Sequence, residues 1–337
     1  MNLIEHEKTI INRLNRRSFI NSTYKTIYFA KLDQKIKTGE KGKCRYCGQK
    51  EGSVQFQKIA HSFPELIGNK FLFSLDECDE CNEFFDKNLE NHLANYLGIF
   101  RTTHKVNGKN GVPKFKGSNG ERIENIDNNI VIIEPEDSNA LESLTEENIL
   151  SISVEKSTYI PIQVYKCFVK MALSILPETE LSKFKDTIDW VRFDIRPKQY
   201  DTSFLKIYRT FITGIPPLDN IRCMLFKRKS PSESLPYIFC IIQFKFYTYQ
   251  FILPFSKKDR LLSPSKLNFV PYPPIHFSPN QIEPDEIIEI DLTSEDKVFF
   301  EKDISTFKTS GGFSEIDVSE IPDKIKERVL KMGLKFK

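Results

Sequence analysis

The chain has 337 residues, 39% of them hydrophobic and 28% charged, a balance that excludes disorder throughout and leaves room for two or three domains. No run approaches 18 uninterrupted apolar residues, and the N-terminal stretch lacks the charged, apolar and cleavage-site regions of a secretory signal, so a soluble, cytoplasmic protein is expected. The formal net charge of +3 hides an uneven distribution along the chain.

Residues 1–38 alternate apolar and basic residues at roughly helical spacing (Ile4, Ile10, Ile11, Leu14, Phe19, Ile20), which predicts one or two helices in a basic arm over 1–40. Glycines Gly39, Gly42, Gly48 and Gly52 then bracket Cys44 and Cys47, as tight turns around a metal knuckle require. Val54–Ile59 reads as a strand leading to His61, and Pro64, Gly68 and Asn69 mark a loop. From Asn82, the residues Phe84, Phe85, Leu89, Leu93, Tyr96 and Leu97 keep helical period as far as Gly98. Residues 106–120 are rich in Gly, Lys and Asn and read as a basic loop or hairpin.

A domain boundary is expected near 118–125, separating a module over 41–120 from an α+β domain over 121–337. In that domain 130–133 and 149–154 read as strands, while 161–176, 181–191 and 204–212 read as helices. The Ile, Phe and Tyr of 221–227 and 236–255 read as adjacent strands, and Pro322–Met332, followed by Gly333, reads as a final helix. The alternation of Phe244, Phe246, Tyr247, Tyr249 and Phe251 suits core packing. Nothing beyond residue 125 offers a second catalytic constellation, and the role of this domain stays open among sensing a regulatory ligand, binding a protein and forming a homo-oligomer.

The charge pattern is informative. Residues 1–50 hold twelve Lys or Arg against four carboxylates, and the next fifty hold nine carboxylates against three Lys. Arg101, Lys105, Lys109, Lys114 and Lys116 then follow with no acid among them. Basic flanks suit a phosphate backbone and an acidic centre suits a divalent cation, which points to a metal-dependent enzyme acting on nucleic acid. Lys41, Lys43, Arg45, Arg101 and Lys105 are the residues nearest the module for phosphate contact.

Of seven cysteines, four fall in Cys44-x-x-Cys47 and Cys78-x-x-Cys81, thirty residues apart. An odd count with two such pairs suits metal ligation in a reducing compartment better than a disulfide framework. Four thiolates close a tetrahedral shell at about 2.3 Å per Zn–S bond with no open position, so this zinc is expected to be structural. Cys167, Cys223 and Cys240 lie in apolar runs and read as buried thiols.

Between and after those pairs stand Ala60-His61-Ser62-Phe63-Pro64-Glu65, Gly68-Asn69 and Cys81-Asn82. This order resembles the zinc-containing branch of the HNH endonucleases, whose fold is a ββα-metal finger. The resemblance spans about residues 41–98. It implies that His61 is the general base that deprotonates the attacking water, that Asn69 orients this His, and that Asn82 is a ligand of a catalytic Mg²⁺ or Mn²⁺. Asn82, Asp86 and Glu90 recur at i, i+4 and i+8, which predicts a shared helix face on which Asn82 and Asp86 can reach that ion together, with Glu65, Asp86 or Glu90 to complete the ligand set. Where many members carry an acid or a second His before the base, this chain has Ala60, and the gap from Asn69 to Cys78 is longer than in the compact motif. The resemblance implies cleavage of DNA, double-stranded, in a setting such as bacterial restriction or anti-phage defence. The rival expectation is a non-catalytic zinc module that recognises nucleic acid or protein.

Overall fold

The structure is a computed structural model describing residues 3–118, 120–126, 129–133, 140–144, 149–198, 205–211, 218–273 and 286–308, with Asp323, Lys326 and Glu327. The helix expected over Pro322–Met332 lies, apart from those three helical positions, outside the described residues. The chain is mixed α+β. It packs as two units: Met1–Tyr96, Asn107–Lys109 and Thr158–Val298 form the first, and Leu97–Val106, Asn110–Ser157 and Phe299–Lys337 the second.

In chain order, helix α1 (Leu3–Thr23) leads into strands β1 (Tyr24–Lys31) and β2 (Ile36–Thr38). Strands β3 (Ala60–His61) and β4 (Leu72–Ser74) precede helix α2 (Asp79–Phe85), a π-helical turn at Asp86–Glu90, and α3 (Asn91–Leu97). The second unit contributes α4 (Phe100–Thr103), β5 (Phe115–Lys116), β6 (Arg122–Ile126), β7 (Asn129–Ile133), β8 (Leu141–Leu144) and β9 (Ile149–Glu155). The first unit resumes with α5 (Pro161–Ser174), α6 (Glu178–Leu181), α7 (Lys185–Phe193), β10 (Lys206–Phe211), β11 (Leu218–Arg228), β12 (Ile238–Lys245), β13 (Tyr247–Ile252) and β14 (Glu286–Asp291). Strand β15 (Lys302–Lys308) returns to the second unit.

The first unit is built on a six-stranded sheet in the order β1-β11-β12-β13-β10-β14, every neighbouring pair antiparallel. Central β12 is buried from Ile238 to Phe244 because both faces are covered. On one face Phe168 of α5 packs at a tilt against Tyr249 and Phe251, and the Tyr165 hydroxyl donates to the Ile252 carbonyl. On the other, Phe239 packs with Tyr24, Phe226 and Phe269. Such double coverage is why Ile238–Ile242 is a continuous apolar run with no alternation.

Three expectations are corrected here. The arm holds one helix, within the one or two expected, but Tyr24–Lys31 is a strand paired with β11, because its Tyr, Ile and Phe suit a half-buried pleated surface. Lys206–Phe211 is strand β10 and not a third helix: β13 and β14 supply ladder partners on both sides, and a short apolar run does not distinguish the two states by itself. Before His61 the regular strand is only Ala60–His61, since the backbone N–H groups of Gln57 and Lys58 donate to the Asp79 carboxylate and not to a ladder.

In the second unit, β5-β6-β7 and β15-β9-β8 form two antiparallel three-stranded sheets around Ile99, Phe115, Ile123, Ala140, Ile152 and Val154. Gly98 ends α3 in the left-handed region (φ 48°), and its bare Cα leaves space for the Asp303 carboxylate that accepts the Ile99 N–H at 2.9 Å. Among the described residues, no helix is long and apolar enough to cross a membrane.

Candidate active site

The two CxxC turns converge. Sγ atoms of Cys44, Cys47, Cys78 and Cys81 all lie within 4.8 Å of one another, with Cys47 and Cys78 at 3.7 Å. Four Zn–S bonds of about 2.3 Å at tetrahedral angles set sulfurs about 3.8 Å apart, so this donor set fits a structural Zn²⁺. The Cys78 backbone N–H points at Cys44 Sγ (3.5 Å), and Arg192 of α7 donates from Nε to Cys81 Sγ at 3.0 Å, both suited to thiolate acceptors. The Cys81 thiol, hydrogen-bonded to Cys44, pulls the Cys44 pKa down to about 5, whereas burial pushes Cys78 up to about 12. Without a cation the cluster resists carrying four negative charges; a dication removes that conflict.

Strand β4 runs antiparallel to β3, with Ala60 opposite Ser74 and His61 opposite Phe73, and parallel to β2 on its other side. The intervening loop is organised by Asn69, which is fully buried: its amide donates to the carbonyls of Phe63 (2.6 Å) and Leu72 (2.9 Å), and its Oδ1 accepts from the N–H groups of Phe71 and Leu72. Asn69 therefore spends its side chain on loop carbonyls and amides, and none of these bonds goes to the His61 ring. The His61 ring is half-buried and rests 5.0 Å from the Phe73 ring. Burial holds its pKa below the ordinary histidine value; Lys170, Lys70 and Lys109 push the same way and Glu65 opposes them. The shift favours the neutral imidazole.

Cys78 caps α2, so the second zinc knuckle fixes where the helix begins and sets Asn82 one turn in. The expected unbroken helix over 82–98 instead contains the π turn Asp86–Glu90. An i→i+5 turn uses one residue more than an α turn, and such insertions recur at functional sites. At about 100° per residue, an unbroken helix would carry Glu90 roughly 80° past Asn82; with one residue absorbed it returns to within roughly 20°. Among the described residues the side chains of Asn82, Asp86 and Glu90 make no hydrogen bond or ion pair. Burial raises the Glu90 pKa, Lys170 opposing, and the charges of Asp86 and Glu65 raise it further. Carboxylate and amide oxygens of this kind are the donor type a hard cation takes. Glu65 is already engaged by Lys70 at 2.7 Å.

Residues 44–97 match the family model of the HNH endonucleases. This segment is an HNH domain. Comparison of the chain with curated proteins and with solved structures found no match.

Around the HNH domain, the basic residues divide. Lys41 and Lys43 are exposed, while Arg101 and Lys105, both half-buried, belong to the second unit. Arg45 is corrected: its side chain, 5% exposed, pairs with Asp76 at 2.8 Å and donates from Nη1 to the carbonyls of Leu173 and Leu176 at the end of α5. It ties the zinc knuckle to that helix, and its burial keeps it from meeting phosphate. Its place in a basic stretch beside Cys44 suggested DNA, because partners 31 and 128 residues away leave no local trace. His92 accepts the Ile160 N–H at Nδ1 (3.1 Å), a packing role at the start of α5. Sequence reasoning missed Lys170, Ser174 and Arg192, which reach the HNH domain from α5 and α7. One signal was present: Lys166 and Lys170 sit inside an otherwise apolar helix.

Proposed function

We propose that the HNH domain hydrolyses phosphodiester bonds in double-stranded DNA with a divalent cation. The observation that carries this reading is a half-exposed His61, its pKa held below the ordinary value by burial, on a locked hairpin, followed by a helix whose Asn82, Asp86 and Glu90 oxygens are unclaimed by the protein. His61 takes the proton of the attacking water. Asn69 holds the loop that fixes the height of His61, while Asn82, Asp86 and Glu90 hold Mg²⁺ or Mn²⁺. When bound, that ion stabilises charge on the phosphate and the leaving oxygen. Exposed Lys41 and Lys43 meet the DNA backbone, with Arg101 and Lys105 as further phosphate contacts. Host defence, restriction or anti-phage, is the setting we favour, inside the cytoplasm.

A second reading is favoured by one residue. Ala60, buried, occupies the position where a metal-binding acid or His often precedes the base, so the domain would then be a zinc module that binds without cutting. Purified protein incubated with plasmid and with RNA, in Mg²⁺, Mn²⁺ or EDTA, separates the two. Plasmid cleavage that EDTA stops is expected; intact plasmid under every metal would favour the binding module, and loss of RNA alone would correct the substrate.

Metal ligands should reveal themselves by rescue. Asn82→Ala and Asp86→Ala are each expected to lower cleavage at least about tenfold at 1 mM-scale Mg²⁺ and to regain part of it as the ion is raised, because a lost ligand weakens affinity before it removes chemistry. A metal-titration curve with an unshifted midpoint would remove that residue from the ligand set.

A further inference from the structure

Lys170 lies in the middle of α5, outside the segment that matches the HNH family, and its side chain is 1% exposed. Its ammonium donates to the His61 carbonyl at 2.9 Å and stands 3.1 Å from Oε2 of Glu77, which is itself fully buried. One turn on, the Ser174 hydroxyl approaches the Ser62 carbonyl (3.2 Å) and the Met171 carbonyl (2.6 Å). In return, the HNH domain donates to α5: Tyr46 Oη to the Lys170 carbonyl at 3.2 Å, and Arg45 to the carbonyls of Leu173 and Leu176.

The geometry points to Lys170 and Ser174 as positioning residues that clamp the His61–Ser62 backbone and so set the angle of the proposed base. Strand β3 has only two residues, and its ladder runs to β4 alone, so the ladder by itself fixes His61 poorly. A compact ammonium with three donors can serve a carbonyl and a carboxylate together, whereas a backbone amide serves one acceptor. Glu77 neutralises the buried charge and leaves the amine free to hold the carbonyl. The clamp is stiff because α5 is itself seated on the six-stranded sheet through Phe168 and Tyr165. The region beyond the HNH domain thereby becomes part of its catalytic frame. A misplacement of the order of 1 Å far from the chemistry can cost about 10²-fold, and it does so in kcat.

This inference rests on His61 being the base, so the test carries both. Steady-state cleavage of duplex DNA in Mn²⁺ is compared for wild type, His61→Ala, Glu77→Gln, Lys170→Met/Glu77→Gln and Ser174→Ala, with zinc per chain measured on each. Glu77→Gln keeps the amine but removes its counter-charge, so it is the reference for what losing the ion pair alone costs. The double variant removes amine and charge together, so no unpaired carboxylate is left; its kcat should fall at least about tenfold below Glu77→Gln, with KM within about twofold and zinc retained. A merely structural ion pair would affect the two variants alike. A folded, zinc-bearing double variant with the kcat of Glu77→Gln, or one changed in KM alone, overturns the clamp. If the double variant is insoluble, Ser174→Ala decides: a several-fold loss of kcat at unchanged KM upholds the clamp, and wild-type kcat overturns it. An inactive wild type, or His61→Ala that cuts as wild type does, brings down the base and the clamp with it.

Discussion

Replacing His61 with Ala is expected to cut DNA cleavage by about 10² to 10⁴, the usual contribution of a positioned base, while DNA affinity and zinc content stay near wild type. The base acts on the barrier and not on the bound ground state, so its loss should appear in kcat. The pH profile supplies an independent check. His61 works only when neutral, and burial together with Lys170, Lys70 and Lys109 holds its pKa below the ordinary 6.5 against the opposing Glu65. Activity should therefore be lost as pH falls through that lowered value and be flat above it, with the acid limb on the low side of a normal histidine. An acid limb above 6.5, or cleavage that survives His61→Ala, would remove His61 from the base position and leave the zinc-module reading as the better account.

Loss of the zinc cluster is expected to have an even larger effect. A structural zinc ties about 10 kcal/mol to folding, comparable to the whole stability of many domains. Cys44→Ser and Cys81→Ser should each yield mostly insoluble protein, with a soluble remainder that lacks zinc and does not recover cleavage at any Mg²⁺ concentration. That last behaviour separates this ion from the catalytic one, whose ligand variants recover in part. The cause is positional: Cys78 caps α2, so an undone knuckle releases the helix that presents Asn82. Elemental analysis that finds no zinc in soluble, folded wild type would refute the structural assignment.

Much of the HNH domain could be read from the sequence because its determinants are local and paired. The two CxxC turns name their own chemistry, glycines flank the first of them, and the apolar period from Phe84 to Leu97 marks the helix that follows. Less local features were misread. Tyr24–Lys31 and Lys206–Phe211 became strands because partners far along the chain offered ladders, and Arg45 was drawn inward by Asp76 and by the end of α5. The π turn at Asp86–Glu90 leaves no mark in a periodicity count, yet it decides how Glu90 lies relative to Asn82.

The sequence by itself determined the zinc ligands, the identity of the hairpin histidine and the presence of a carboxylate-bearing helix, since each depends on residue type at short spacing. Only the tertiary structure decided what holds them. Lys170 and Ser174 reach back more than a hundred residues to the His61–Ser62 carbonyls, and Arg192 to a cysteine sulfur. A two-residue strand has too few ladder bonds to fix its own orientation, so its support had to come from a helix whose position is set by the packing of a distant sheet.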